Sequence, residues 1–349
     1  MRDWPVSFFV CIEPDNNCSL INNSISLIES IRLFGGEFAG CPIYTISPRG
    51  RIIPCETKQR LYELGVIHAE LNLNLEYSNY PHANKIYAGA YLEQIARTEI
   101  LVFLDSDSVI LNEPAEFRLP PGVDIGVTPV WLKGIGCSDD RDLSAHLWKI
   151  AYSVVAKKIP KDFVLTRIGQ ETILPYYNSG MIVARRSSGF FHIWQSVFER
   201  LVSSDQVMDV LCAVSGTNDY LYRPQMFADQ LSLAVTISDW DSRLKEFSAL
   251  YNCPLHHKNK LSDNFQNMKF DLESVVHWHH NNYLGSPYVL GIVSDGSCMQ
   301  SAKRQWIESR CFINPPLSGA DNERFFEYFN NSMMAWRNAI AEMLQKDMR

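Results

Sequence analysis

The absences in this sequence narrow it first. No stretch approaches the roughly 18 consecutive apolar residues that a membrane-crossing helix needs. The nine cysteines (Cys11, Cys18, Cys41, Cys55, Cys137, Cys212, Cys253, Cys298 and Cys311) contain no Cys-x-x-Cys pair and no zinc-type spacing. An odd, scattered set of this kind fits reduced thiols in the cytoplasm, with peripheral membrane association left open. There is no excess of positive charge, only 32 Lys and Arg against 39 Asp and Glu, a net charge of −7. That balance argues against nucleic acid or an anionic membrane as the main partner. The chain shows no internal repeat, low-complexity segment or flexible linker. Its N-terminus, MRDWPVSFFVCIEPD, has a short apolar run closed by acid and proline. This reads as a first strand, not a secretory leader.

What is present is enough for a large core. The chain has 349 residues, 46% hydrophobic and 12% aromatic, which allows one large α/β domain or two smaller ones. Strands are expected at 6–12, 41–46, 66–71, 100–104, 124–130, 178–185 and 274–278. Helices are expected at 24–34, 57–64, 84–96, 190–202, 229–236 and 321–346. The region 136–149 reads as irregular, then helical. The alternation of strand and helix through the first hundred residues predicts a parallel sheet flanked by helices. In such sheets ligands bind at the carboxyl ends of the strands.

The stretch Glu99 to Asn112, EILVFLDSDSVILN, puts Asp105-Ser106-Asp107 at such an end. Asp and Ser at a strand end are often only turn formers. Here apolar runs flank them on both sides, and two carboxylates one residue apart are costly to bury without a partner. Together they offer a hard oxygen site for Mg2+ or Mn2+.

Four further features carry chemistry. Asn84-Lys85 opens a helix, and a helix start with a lysine suits a phosphate, although a solvated lysine is the plainer reading. Asn178-Ser179-Gly180 precedes an apolar strand, as a turn or as a wall that hydrogen-bonds hydroxyls. Asp229-Gln230 begins a helix, as a cap or as a site. His277, His279 and His280 cluster after the expected strand 274–278, and imidazole suits Mn2+ as a third ligand. His277, directly after Val275-Val276, is preferred.

In this order the motifs resemble GT-A nucleotide-sugar glycosyltransferases, closest to the branch of glycogenin and the lipopolysaccharide galactosyltransferases. The resemblance spans Val6 to Tyr283. It implies a GT-A, Rossmann-like domain over 1–295 and a helical extension over 296–349 packing on it. By position, Asp105 and Asp107 resemble the Asp-x-Asp pair that holds metal and donor diphosphate, with Ser106 between them, and His277 the late metal histidine. Cys11, Ile12 and Glu13 fall where the nucleotide base is held, and Asn84 and Lys85 near the diphosphate. Asn178, Ser179 and Gly180 resemble the donor-sugar pocket, and Asp229 and Gln230 its catalytic wall. The resemblance implies transfer from a UDP-linked sugar, with retention, to a glycan, lipid-linked or protein acceptor, and the acceptor is expected to be read by 131–170, because connecting segments usually carry specificity. The chain departs from the branch in having Leu231 after Asp-Gln and Trp278-His279-His280 after the first histidine, which makes His279 the alternative ligand. Two rivals stand beside this reading. One is a haloacid-dehalogenase-like phosphatase using Asp105 as nucleophile and Asp107 as acid, although its motif belongs to a domain's first strand. The other is a sugar-nucleotide-binding protein without catalysis.

Overall fold

The computed structural model describes residues 4–15, 18–213, 224–261, 268, 270–284, 286, 291, 302–310 and 319–347. The chain forms two compact units, one from 1–128, 180–192 and 242–319, the other from 129–179, 193–241 and 320–349.

The first unit holds most of a seven-stranded, mostly parallel sheet. Its strands are β1 (Val6–Cys11), β2 (Ile43–Ser47), β3 (Val66–Glu70), β4 (Ile100–Leu104), β6 (Ile125–Pro129), β9 (Tyr177–Arg185) and β10 (Leu244–Glu246). They lie in the order β10-β6-β9-β4-β1-β2-β3. β1 runs parallel to β2 and β4, and β9 runs antiparallel to β4. The sheet is buried on both faces, as period-two alternation within β1 shows. Phe8 and Val10 enter a core with Phe38 and Phe117, while Phe9 meets Phe103 at 5.2 Å and Phe191 at 5.4 Å. Helix α3 (Asn84–Ile95) packs across β1 and β4. A side chain at Gly89 of this helix would stand 2.2 Å from the Phe191 ring, so only glycine admits that close approach. Helices α1 (Ser19–Phe34) and α2 (Cys55–Glu63) follow β1 and β2. A second ribbon of two antiparallel strands pairs β5 (Ser108–Ile110) with β11 (His277–His279).

The elements match the sequence expectations with two instructive shifts. α1 begins at Ser19 rather than 24, because the Asp15 carboxylate accepts from the Ser19 N–H at 3.1 Å and its hydroxyl at 2.6 Å. The strand expected at 274–278 falls at 277–279, because the Asp271 carboxylate collects the N–H groups of Glu273 and Ser274 into a turn.

The second unit is mainly helical, with α4 (Ala145–Val154), most of α5 (Phe190–Val202), α6 (Asp205–Leu211), α7 (Ala228–Ile237) and a two-residue ribbon of β7 (Val164–Leu165) with β8 (Thr172–Ile173). Two of its buried tryptophans place the indole N–H on named acceptors. Trp194 donates to the Ser232 hydroxyl at 2.8 Å and Trp336 to the Val210 carbonyl at 2.8 Å. The segment after 295 is divided between the units: α8 (Ala302–Glu308) lies in the first and α9 (Gly319–Asp347) in the second. No described helix is long and apolar enough to cross a membrane. Cys11, Cys18, Cys41, Cys55, Cys137, Cys212 and Cys253 are free thiols, and Cys298 and Cys311 lie outside the described residues.

The loop 133–144 of this unit is folded around Asp142. Its carboxylate lies 2.5 Å from Lys133 Nζ, accepts from the Ser138 N–H at 2.9 Å, and accepts from the Ser144 hydroxyl at 2.8 Å. Burial pushes the Asp142 carboxyl up, but these donors outweigh it and hold it below the usual carboxylate range. A carboxyl lowered by folding adds stability above its unfolded pKa of about 3.9, and that stability is lost as pH falls toward the folded value. Asp142→Asn is therefore expected to cost about 1–3 kcal/mol at pH 7. The difference from wild type should shrink as pH falls below about 4, measured by urea melts at both pH values.

Candidate metal centre

The turn between β4 and β5 is fixed by its backbone. The Asp105 N–H donates to the Gly180 carbonyl at 2.8 Å, and the Ser108 hydroxyl donates to the Asp105 carbonyl at 2.6 Å. The His280 N–H donates to the Asp107 carbonyl at 2.9 Å. With these groups held, one ligand atom from each of Asp105, Asp107 and His279 lies within 4.8 Å of the others.

Strand register decides which histidine arrives. β11 pairs antiparallel to β5 with His279 opposite Ser108, Trp278 opposite Val109 and His277 opposite Ile110. His279 therefore stands beside Asp107, its Nε2 3.3 Å from Asp107 Oδ1. His277 lies one pleat repeat further along, roughly 6–7 Å away. The structure thus brings His279, not His277, to the carboxylates. Trp278, on the opposite face of the strand, is fully buried in a cluster with Val109, Leu255 and Leu272.

Asn252 joins the two histidines. Its N–H donates to His277 Nδ1 at 3.1 Å, its Oδ1 lies 2.9 Å from His279 Nδ1, and its Nδ2 donates to Thr128 Oγ1 at 2.8 Å. His277 Nε2 is buried without a hydrogen-bond partner among the described residues. His280, also fully buried, packs edge-on against Trp278, and burial pushes it down to about 3.

Lys85, the second residue of α3, is 4% exposed and sits 3.1 Å from Asp105. Its ammonium also lies 5.2 Å from the centre of the Phe103 ring. Burial alone would push the Asp107 carboxyl up, but the His279 imidazole holds it well below the usual carboxylate range. The converse holds for His279, where burial lowers the imidazole and Asp107 raises it above its ordinary value.

The other sequence candidates divide. Burial pushes the Cys11 thiol up, with Lys85 pulling it down and Asp105 and Glu13 adding to the rise, so Cys11 shares the field of the carboxylates. Ile12 is a core residue. Glu13 is buried and engaged by the Arg49 guanidinium and N–H. Asn84 is buried, its side-chain oxygen accepting from the Asn74 amide at 2.9 Å. Ser106 is half-buried. In the second unit, Ser179 donates to the buried Asp229 carboxylate at 2.6 Å, and Asn178 and Gln230 are half-buried. Sequence reasoning missed Asn252, whose only signal is an asparagine before Cys253-Pro254 in a segment without periodicity.

A family model described as the Rhodobacterales glycosyltransferase domain matches residues 9–241. No curated protein matches the chain. Solved structures similar to it include mouse xyloside xylosyltransferase 1, at 11% identity and TM-score 0.43, covering 80% of this chain and 98% of that one. The galactosyltransferase LgtC, in complex with donor and acceptor sugar analogues, is 11% identical with TM-score 0.46, covering 91% and 99%. The bifunctional glycosyltransferase WbbM is 15% identical with TM-score 0.47, covering 88% of this chain and 51% of that one.

Proposed function

The chain belongs to the Rhodobacterales glycosyltransferase domain family, and from that premise we propose that it uses Mn2+ or Mg2+ to move a sugar from a UDP-linked donor to an acceptor hydroxyl, with retention. The observation that carries this is the meeting of Asp105, Asp107 and His279 within 4.8 Å, backed by Lys85. Two carboxylates and an imidazole are a donor set suited to either cation. When bound, such a cation supplies positive charge against the diphosphate as it leaves. The protein side of that balance is plain: Lys85 offsets one of two carboxylates, and without more positive charge the site repels a diphosphate.

In this reading Asp105 and Asp107 hold the cation and His279 is the third ligand. Lys85 keeps Asp105 oriented and adds charge beside the diphosphate. Cys11 lies on the nucleotide side, while Glu13 and Asn84 shape that wall from behind. Asn178, Ser179 and Gly180 handle the sugar, and Asp229 and Gln230 act at it, Ser179 fixing the Asp229 carboxylate. Residues 1–295 form the transferring domain and 296–349 an extension on it. The acceptor, a glycan, a lipid-linked saccharide or a protein, is read by 131–170, since connecting segments carry specificity. The free thiols support a reducing compartment such as the cytoplasm.

Asp105→Asn and Asp107→Asn are each expected to lower turnover of a UDP-sugar roughly 100-fold or more, the loss of a stabiliser of about 3 kcal/mol. Folding should survive, because asparagine keeps the shape of the side chain and an oxygen acceptor for Lys85 or His279. Near-normal activity of either variant at saturating Mn2+ would refute the assignment. In calorimetry, UDP should bind with Mn2+ and not in EDTA, and GDP should bind more weakly. Tight UDP binding in EDTA would contradict a bridging cation. Failure of every nucleotide to bind, with phosphate-ester hydrolysis present, would favour the phosphatase reading.

A further inference from the structure

We propose that Asn252 is a positioning residue that sets opposite tautomers on His277 and His279, and so readies His279, the histidine that register brings to the carboxylates, as the metal ligand. The inference rests on the metal reading above and deepens it.

A neutral imidazole has one N–H and one lone pair, and the partner of one nitrogen decides the state of the other. The Asn252 main-chain N–H can only donate, so His277 Nδ1 is the acceptor and the proton sits on Nε2. That nitrogen is a buried donor and cannot offer a lone pair to a cation. The Asn252 side chain imposes the reverse two residues on. Its Nδ2 is turned to Thr128, which leaves Oδ1 facing His279. His279 Nδ1 then donates, and its Nε2 lone pair points toward Asp107. Metal-binding histidines are commonly held this way, through an N–H given to an oxygen behind the ring.

The backbone is built for this task. Asn252 is fully buried with φ +48°, a left-handed conformation that asparagine tolerates better than most residues. The turn aims both its N–H and its side chain at one face of β11. The Cys253 N–H donates to the His277 carbonyl at 2.9 Å and the His279 N–H to the Cys253 carbonyl at 3.1 Å, so the segment is locked alongside the strand.

The test uses the full-length chain as wild type, Asn252→Gly, Asn252→Asp, His279→Ala and His277→Ala. Glycine keeps the φ and removes the side chain, and aspartate keeps an acceptor for His279. Neither readout uses sugar transfer. Mn2+ affinity is measured by paramagnetic resonance without nucleotide. Imidazole 15N shifts are measured in the metal-free protein, at a pH alkaline enough to make His279 neutral. The wild type is expected to show His279 as the Nδ1–H form and His277 as the Nε2–H form. Asn252→Gly should move His279 toward the Nε2–H form and weaken Mn2+ binding roughly 10- to 100-fold. Asn252→Asp should retain the Nδ1–H form and most of the affinity. Unchanged tautomer and affinity in Asn252→Gly would overturn the inference. If that variant does not fold, Thr128→Val, which frees the amide to turn, is read by the same criteria. His279→Ala separates the two levels: unchanged Mn2+ binding there refutes the metal reading itself. Weakened binding there, with Asn252→Gly like wild type, refutes only the role of Asn252. His277→Ala should leave Mn2+ affinity near wild type, and a larger loss than in His279→Ala would also overturn the assignment.

Discussion

Two carboxylates brought together at the end of a buried strand must be answered by positive charge, and most of the first unit is arranged around that demand. β4 delivers Asp105 and Asp107 out of a fully buried apolar strand. Coulomb repulsion between them rises as water is excluded. α3 meets part of the demand by burying an ammonium, with Lys85 resting on the Phe103 ring beside Asp105. β11 meets another part with His279 beside Asp107. In the proposed reading, a bound metal ion would take over part of the charge balance that these two groups supply without it.

The rest of the geometry keeps that arrangement stiff. The Gly180 carbonyl, the Ser108 hydroxyl and the His280 N–H hold the turn by its main chain, which leaves the carboxylates to meet Lys85 and His279. The buried Trp278 fixes the rotation of β11 about its axis. Alternation then sends His277 and His279 to the other face with Asn252 behind them. The large core residues therefore act on the site through register rather than through contact with it.

Much of this is legible in the sequence because it is local. The apolar run Ile100 to Leu104 and the carboxylates after it sit in one short segment, and branched residues with period two mark the strands. The helix of Lys85 announces itself by spacing. The identity of the histidine that reaches the carboxylates is not local. It depends on which residue of 277–280 lies opposite Ser108, and a pairing between such distant segments leaves no trace in either one. His277 follows a run that looks like a strand, but Asp271 gathers that run into a turn and shifts the pairing two residues on. The antiparallel direction of β9 is hidden for the same reason. Asn252 was invisible because its importance lies in one backbone conformation within an irregular segment.

The β5–β11 ribbon has a consequence for how the protein is made. Its two strands are separated by nearly half of the chain. While the ribosome is still adding the middle of the protein, Asp107 has no imidazole beside it and the turn lacks the His280 clamp. The nascent chain thus carries a pair of carboxylates that still lacks its imidazole neighbour and its main-chain clamp. Completion of this cluster is therefore a late event of folding, gated by closure of a long loop.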